Sequence, residues 1–171
     1  YPEAHRWAID KKLTMMSNSD IHQPLNLDYH VHDGDHRPLT LVFAKTRTRD
    51  AIKEALLARH TVVYSANRLI GDEQFLKPIF ENSIQFNETK FTAKGTKKVI
   101  LQISNNSDVD YELERTVDLT ELKVPKSLVL AARKTVLFEV TPKSGAPEGE
   151  RKLELSYLVT NLLVGPSQPL V

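Results

Sequence analysis

The spacing of apolar residues changes character near residue 82, and the two stretches predict different architectures. Up to that point helical and strand patterns alternate. Ala4, Trp7 and Ala8 stand at helical spacing, and Asp10-Lys11-Lys12 ends that element in polar residues. Pro2 suits the first helical turn, where its missing N–H costs no hydrogen bond. Leu13-Thr14-Met15-Met16 predicts a short strand, closed by the polar turn Ser17-Asn18-Ser19-Asp20. Residues 23–37 read as a long loop rich in Asp and His. Thr40-Leu41-Val42-Phe43-Ala44 is a continuous apolar run, the pattern of a strand buried on both faces. Thr48 suits an N-cap with Asp50 in the first turn, and Ile52, Ala55, Leu56 and Arg59 then follow one helix face. Thr61-Val62-Val63-Tyr64 predicts a strand. Asp72 opens a further helix burying Phe75, Leu76, Ile79 and Phe80, which Pro78 should kink or shorten. Strand–helix–strand order of this kind predicts a βαβ unit with parallel strands.

Beyond residue 82 the period becomes two. Ile84 and Phe86 alternate with polar residues, as do Val99, Leu101 and Ile103, Tyr111 and Leu113, and Val136, Phe138 and Val140. Leu153, Leu155, Tyr157 and Val159 repeat the pattern. Turns are expected at Asn105-Asn106-Ser107-Asp108 and Lys143-Ser144-Gly145-Ala146-Pro147. Short strands at this spacing predict an antiparallel sandwich of roughly seven strands in immunoglobulin-like style, without the Cys…Trp…Cys signature of antibody domains. Gly165-Pro166-Ser167-Gln168-Pro169 reads as a frayed end. The predicted division is therefore 1–81, an α/β part, and 82–171, a β-sandwich.

Composition narrows the function classes. The 171 residues carry a formal net charge of +1 with basic and acidic residues intermixed, so neither nucleic acid nor an anionic membrane is an expected partner. No run reaches the ~18 apolar residues that span a bilayer. With no cysteine there is no disulfide, no Cys-ligated zinc and no thiol nucleophile. Tyr1-Pro2-Glu3-Ala4 leads into a helix without an initiator Met, so the chain is expected to be a piece of something longer.

Candidate chemistry centres on Asn18-Ser19-Asp20-Ile21-His22, directly after the first predicted strand. Asp and His two residues apart at the carboxyl end of a strand project into the face where α/β barrels hold their active sites. Carboxylate oxygen and imidazole nitrogen are good ligands for Zn, Mn or Fe. The plainer alternative is that Asp20 caps a turn and His22 is solvated. His30-Val31-His32, flanked by Asp28, Asp33, Asp35 and His36, reads as a solvated or lid-like loop. His36 or Arg37 is a candidate to meet a substrate phosphate, since guanidinium matches phosphate geometry. His5 is expected at the surface and Trp7 in the core.

Asn18-Ser19-Asp20-Ile21-His22-Gln23-Pro24 resembles the last metal-binding motif of the PHP (polymerase and histidinol phosphatase) family: a small residue, Ser, Asp, any residue, His. The likeness is closest to a bacterial, mostly exported branch of PHP-type phosphodiesterases. There, segments similar to His36–Ala44, Asp50–Leu56 and Thr61–Val63 follow in the same order, with a β-rich stretch behind. The resemblance implies the C-terminal fragment of a β/α barrel followed by the sandwich. It further implies a multinuclear divalent metal centre hydrolysing phosphate esters, with Asp20 and His22 as metal ligands. The family's other ligands, an opening His-x-His, a central Glu and further His residues, are implied to lie upstream, so this chain alone is expected to be inactive. A periplasmic or secreted location is implied too.

Other motifs are thin. Asn87-Glu88-Thr89 and Asn105-Asn106-Ser107 match the glycosylation sequon. Lys94, Lys97 and Lys98 beside Phe91 read as a solvated strand edge. A different class of function stays open, in which the sandwich is a docking or oligomerisation module or a structural cap and 1–81 a remnant. If the barrel is incomplete, exposed apolar faces should favour self-association.

Overall fold

The computed structural model describes residues 2–33, 35–92, 95–144 and 154–171, with Asp33 described for its backbone only. Lys94, Leu153 and the expected turn residues Gly145-Ala146-Pro147 lie outside these. The chain divides into two units, one running to Ile79 and taking in Asn161–Leu170, the other comprising Phe80–Thr160 with Val171. Residues 161–170, read from sequence as the end of the sandwich, thus pack with the first unit.

In the first unit, helix α1 (Pro2–Asp10) buries His5 and Ala8. Trp7, expected in the core, is 54% exposed with Lys11 Nζ 5.8 Å above its ring, and His5, expected outside, is 5% exposed. Helical spacing admits either face, and the packed side here is the one holding the smaller Ala8. Leu13–Met16 forms no strand. The expected loop 23–37 contains a short helix α2 (Leu25–Asp28) and a 3-10 turn at Val31–Asp33. Strand β1 (Leu39–Val42) leads to helix α3 (Arg49–Leu57), whose N-cap Thr48 accepts from Ala51 N–H. Strands β2 (Thr61–Ser65) and β3 (Arg68–Gly71) follow, then helix α4 (Glu73–Ser83), opened by Asp72 accepting from Gln74 N–H at 3.0 Å. Helix α4 continues five residues past Pro78 rather than stopping there.

The expected parallel βαβ unit is not formed. Strands β1 and β2 pair antiparallel, with Thr40 opposite Val63 and Val42 opposite Thr61. The cause lies at the end of α3. Arg59 takes a left-handed conformation (φ 63°) and His60 N–H bonds back to Ala55 O, so the chain re-enters the sheet where it left. Phe43 N–H, just past β1, accordingly meets His60 O, just before β2, at 2.9 Å. A second reversal was invisible in the apolar pattern. Ala66 and Asn67 both have positive φ, 48° and 55°, the geometry of a two-residue hairpin turn joining β2 to β3. Buried Asn161 donates to Asn67 O at 2.8 Å and pins that turn. The parallel pairing in this unit is between β3 and the second half of β10 (Tyr157–Gly165), Leu69 opposite Leu162. Strand β1 is a sheet edge, so its residues are half-buried or exposed rather than buried on both faces. Residues 165–169 are not frayed: Ser167 (φ 59°) turns the chain into β11 (Gln168–Leu170), which pairs with β10 and buries Leu170.

The second unit carries the period-two pattern as expected. Strands β4 (Ile84–Phe86), β5 (Val99–Asn105), β9 (Thr135–Pro142) and β7 (Leu122–Lys123) form one antiparallel sheet in the order β4-β5-β9-β7. Strand β6 (Tyr111–Arg115) lies between β8 (Ser127–Leu130) and the first half of β10 in a second antiparallel set. That makes seven strands among the described residues. The inward positions Leu101, Ile103, Tyr111, Leu130, Phe138, Val140 and Val159 are buried, and Phe80 meets Tyr111 edge-on at 5.0 Å. Asn105 is buried with its amide fully used. Its Nδ2 donates to Val109 O and Leu130 O, and its Oδ1 accepts from Ser107 N and Oγ, all within 2.9 Å. The sequon at Asn105 is therefore a structural lock, since a glycosylated amide could not keep both donor bonds.

Replacing Asn105 with Ala leaves two carbonyls without their donor, and we expect a loss of about 2–3 kcal/mol in denaturant unfolding. Burial pushes the His5 imidazole below its usual pKa of 6.5. The unfolded chain therefore takes up a proton that the fold refuses as pH drops below about 6.5, so His5 removes stability on acidification down to its lowered folded value. The melting temperature of a His5→Leu variant should fall less between neutral pH and pH ~5 than that of the unmodified chain.

Candidate metal centre

Segment 13–17 is held by threonine hydroxyls instead of a strand ladder. Thr14 Oγ1 donates to Leu56 O at 2.6 Å and Thr61 Oγ1 donates to Met15 O at 2.9 Å. Thr40 Oγ1 accepts from Ser17 N–H at 2.9 Å and donates to Ser17 O at 3.0 Å. Thr40 and Thr61 share one face of the β1–β2 pair, because Thr40 faces Val63 and Val42 faces Thr61. These hydroxyls fix Met15 and Ser17 against that face, three residues before the candidate ligands.

Beyond the clamp the chain turns outward. Asp20 adopts φ 50°, a left-handed conformation that Asp tolerates better than branched residues. The turn brings Asp20 Oδ1 to 3.4 Å from His22 Nε2, with the side chains 95% and 82% exposed respectively. Without a metal this contact is an exposed ion pair requiring a protonated imidazole, and such pairs contribute little. Two donors on one tetrahedral ion at the usual ~2.0–2.1 Å bond length stand about 3.4 Å apart. The spacing therefore fits a shared divalent ion, and a carboxylate plus an imidazole is apt chemistry for one. The number of donors does not suffice: among the described residues no group of three His, Cys, Asp or Glu side chains converges.

The other candidates lie in the segment leading to β1. His36 packs edge-on against Tyr64, ring centroids 5.7 Å apart, and Arg37 is exposed. In the His/Asp-rich loop, Asp35 Oδ2 accepts from His30 N–H at 3.2 Å, so that carboxylate serves loop structure. Sequence reasoning missed the three positioning threonines and an aromatic cluster in which Phe43 stacks on Phe75 at 4.6 Å with His60 5.3 Å from Phe75. A hydroxyl on a strand gives no periodicity signal, which is why Thr40 was read only as the start of an apolar run.

Comparison with known proteins gives two matches. A family model for an Ig-like domain (DUF5001) matches residues 84–171, just over half of the chain. The chain belongs to that family. The Ig-like match runs on through residues 161–170, which pack with the first unit. Among solved structures, the chain is similar to a two-domain protein from Bacteroides vulgatus containing a predicted PHP-like metal-dependent phosphoesterase. The two are 36% identical with a TM-score of 0.84, over 99% of this chain and 47% of that one. The chain thus spans about half the length of the Bacteroides protein. No curated protein matches. Among the described residues no helix is long and apolar enough to cross a membrane.

Thr40→Val removes both hydroxyl bonds to Ser17 at nearly constant volume. We expect a loss of about 1–2 kcal/mol, together with faster hydrogen exchange at the Ser17 amide and unchanged exchange in β5 and β9.

Proposed function

We propose that this chain is the C-terminal piece of a bacterial, exported PHP-type metal-dependent phosphoesterase, most consistent with a phosphodiesterase. In this reading residues 1–81 are the closing part of a β/α barrel and the Ig-like domain that follows is its accessory. The observation that carries it is the 36% identity, over 99% of the chain, with a protein containing a predicted PHP-like phosphoesterase. The Asp20–His22 spacing of 3.4 Å supports it independently.

Asp20 would hold a divalent ion (Zn, Mn or Fe) through Oδ1, and His22 through Nε2 as neutral imidazole. A divalent ion supplies a water acidic enough to act as a nucleophile near neutral pH and a counter-charge for the phosphate oxygens. Arg37 and His36 would meet those oxygens as donors. The Thr40 clamp on Ser17 keeps the ligand turn at one position on the sheet. Two donors would not by themselves hold a multinuclear centre, and among the described residues no further donor converges on them, so turnover would belong to the longer protein. A second reading rests on the outer face of the β4-β5-β9-β7 sheet. There Ile100 and Leu137 are exposed and lie diagonally across β5 and β9, as a docking or oligomerisation module would require.

The test is divalent-metal-dependent hydrolysis of bis(p-nitrophenyl) phosphate by the longer protein and by this chain. Activity in the first, absence in the second, and a loss of at least about 100-fold in Asp20→Ala or His22→Ala are expected. Full activity of Asp20→Ala would sink the ligand assignment. Inactivity of both proteins with Zn, Mn and Fe supplied would leave the binding-module reading in its place.

A further inference from the structure

Residues 161–170 fall inside the Ig-like match, yet they pack with residues 1–79. There the second half of β10 pairs with β3 and with β11. Its share of that unit's core is large. Val62, Leu69, Leu76, Leu162 and Leu170 are among the largest fully buried side chains, and the last two come from this segment. Directly opposite residues of paired strands share a face, so the registers trace rows of side chains across the sheet. Leu39, Tyr64, Leu69 and Leu162 form one row, buried except at its β1 end. Thr40, Val63, Ile70 and Leu163 form the next row, on the opposite face. It runs from Leu163 to the residue whose hydroxyl holds Ser17, about 14 Å over three strand spacings of ~4.8 Å. Strand β3 has β2 on one side and β10 on the other, so without 161–170 it would become an open edge. Asn161 adds its bond to Asn67 O at the glycine-free β2–β3 turn.

We propose that Asn161, Leu162 and Leu163 are positioning residues for the Asp20–His22 turn. The end of the Ig-like stretch is the inner strand of the sheet whose outer strands carry the Thr40 and Thr61 clamps. The boundary of the Ig-like family therefore does not coincide with the boundary of the unit that carries the candidate ligands. Removing the stretch from residue 84 onward would take away a strand that the ligand turn needs. The strand dependence stands on geometry alone; its consequence for metal rests on the phosphoesterase reading.

The experiment is amide hydrogen exchange by NMR on the 171-residue chain carrying Asn161→Ala or Leu162→Ala. Exchange at the Ser17 and Phe43 amides should accelerate at least about tenfold in either variant, while the amides of β5 and β9 keep their rates. Leu162→Met, which conserves volume, should stay close to the unmodified chain. Unchanged exchange at Ser17 and Phe43 overturns the proposal. So does equal acceleration in β5 and β9, which would make the segment a support of the whole chain. The metal part is read in the longer protein with the same substitutions. The Mn2+ concentration for half-maximal hydrolysis of bis(p-nitrophenyl) phosphate should rise at least about tenfold in Leu162→Ala, and Leu162→Met should restore it. A lower maximal rate at an unchanged Mn2+ requirement overturns the metal part, because loss of folded protein alone produces that result. Absence of Mn2+-dependent hydrolysis in the unmodified longer protein sinks the phosphoesterase reading and the metal part with it, and exchange at Ser17 still decides the strand dependence.

Discussion

The two bonds between the Thr40 hydroxyl and the backbone of Ser17 are the contact on which the candidate site depends. Residues 13–17 form no strand, so no ladder of backbone bonds holds them. Each polar group they bury must instead be matched individually, and three threonines do this: Thr14 from within the segment, Thr40 and Thr61 from the sheet. One hydroxyl can both donate and accept, so Thr40 satisfies the N–H and the C=O of a single residue. A valine of the same shape would fill the space and leave both groups unpaired. Three residues downstream of this fixed point, Asp20 adopts a left-handed conformation and faces solvent beside His22.

Much of the fold could be read from hydrophobic spacing, because spacing reports which residues face the core. The seven-strand Ig-like unit followed from alternation at Leu101 and Ile103, at Phe138 and Val140, and at Tyr157 and Val159. Direction is a different kind of information. The order β1-α3-β2 suggested parallel strands, yet a single left-handed residue, Arg59, and one bond from His60 N–H to Ala55 O return the chain to the end of the sheet it had left. No apolar position changes when that reversal occurs, so no pattern of apolar positions could have announced it. The same holds for the β2–β3 turn. Ala66-Asn67 lacks the glycine that usually advertises such a hairpin, and the turn is supported from a distance by Asn161. The sheet partner of β3 is 93 residues away in sequence, Leu69 against Leu162, beyond the reach of any local signal.

The candidate site was legible to the extent that its chemistry sits in adjacent residues. Asp20 and His22 are two positions apart, so their pairing needed only a turn between them, and the structure supplies it. His36 and Arg37 were singled out for chemical type alone, and folding gives His36 the edge of Tyr64 as its partner. His5 and Trp7 were assigned to the wrong sides of α1, because a nine-residue helix offers two apolar stripes and the choice between them is made by what packs against it.

Asn105 illustrates why a motif match has to be weighed against hydrogen-bond accounting. As a string, Asn105-Asn106-Ser107 is a modification signal. In the fold, the amide ends β5 inside the sandwich, where leaving it unbonded would cost more than any single surface contact returns. Ser107 supplies two donors to its Oδ1, and the carbonyls of Val109 and Leu130 take both Nδ2 hydrogens. The Asn and Ser that define the sequon are thus spent on each other. The reasoning applies in reverse to Asp20 and His22. Both are almost fully solvated, so the fold buries neither, and the left-handed Asp20 sets its carboxylate 3.4 Å from the His22 imidazole. What separates the two cases is the fate of the polar atoms: Asn105 has none left to offer, whereas the turn at Asp20 and His22 presents both of its donors outward.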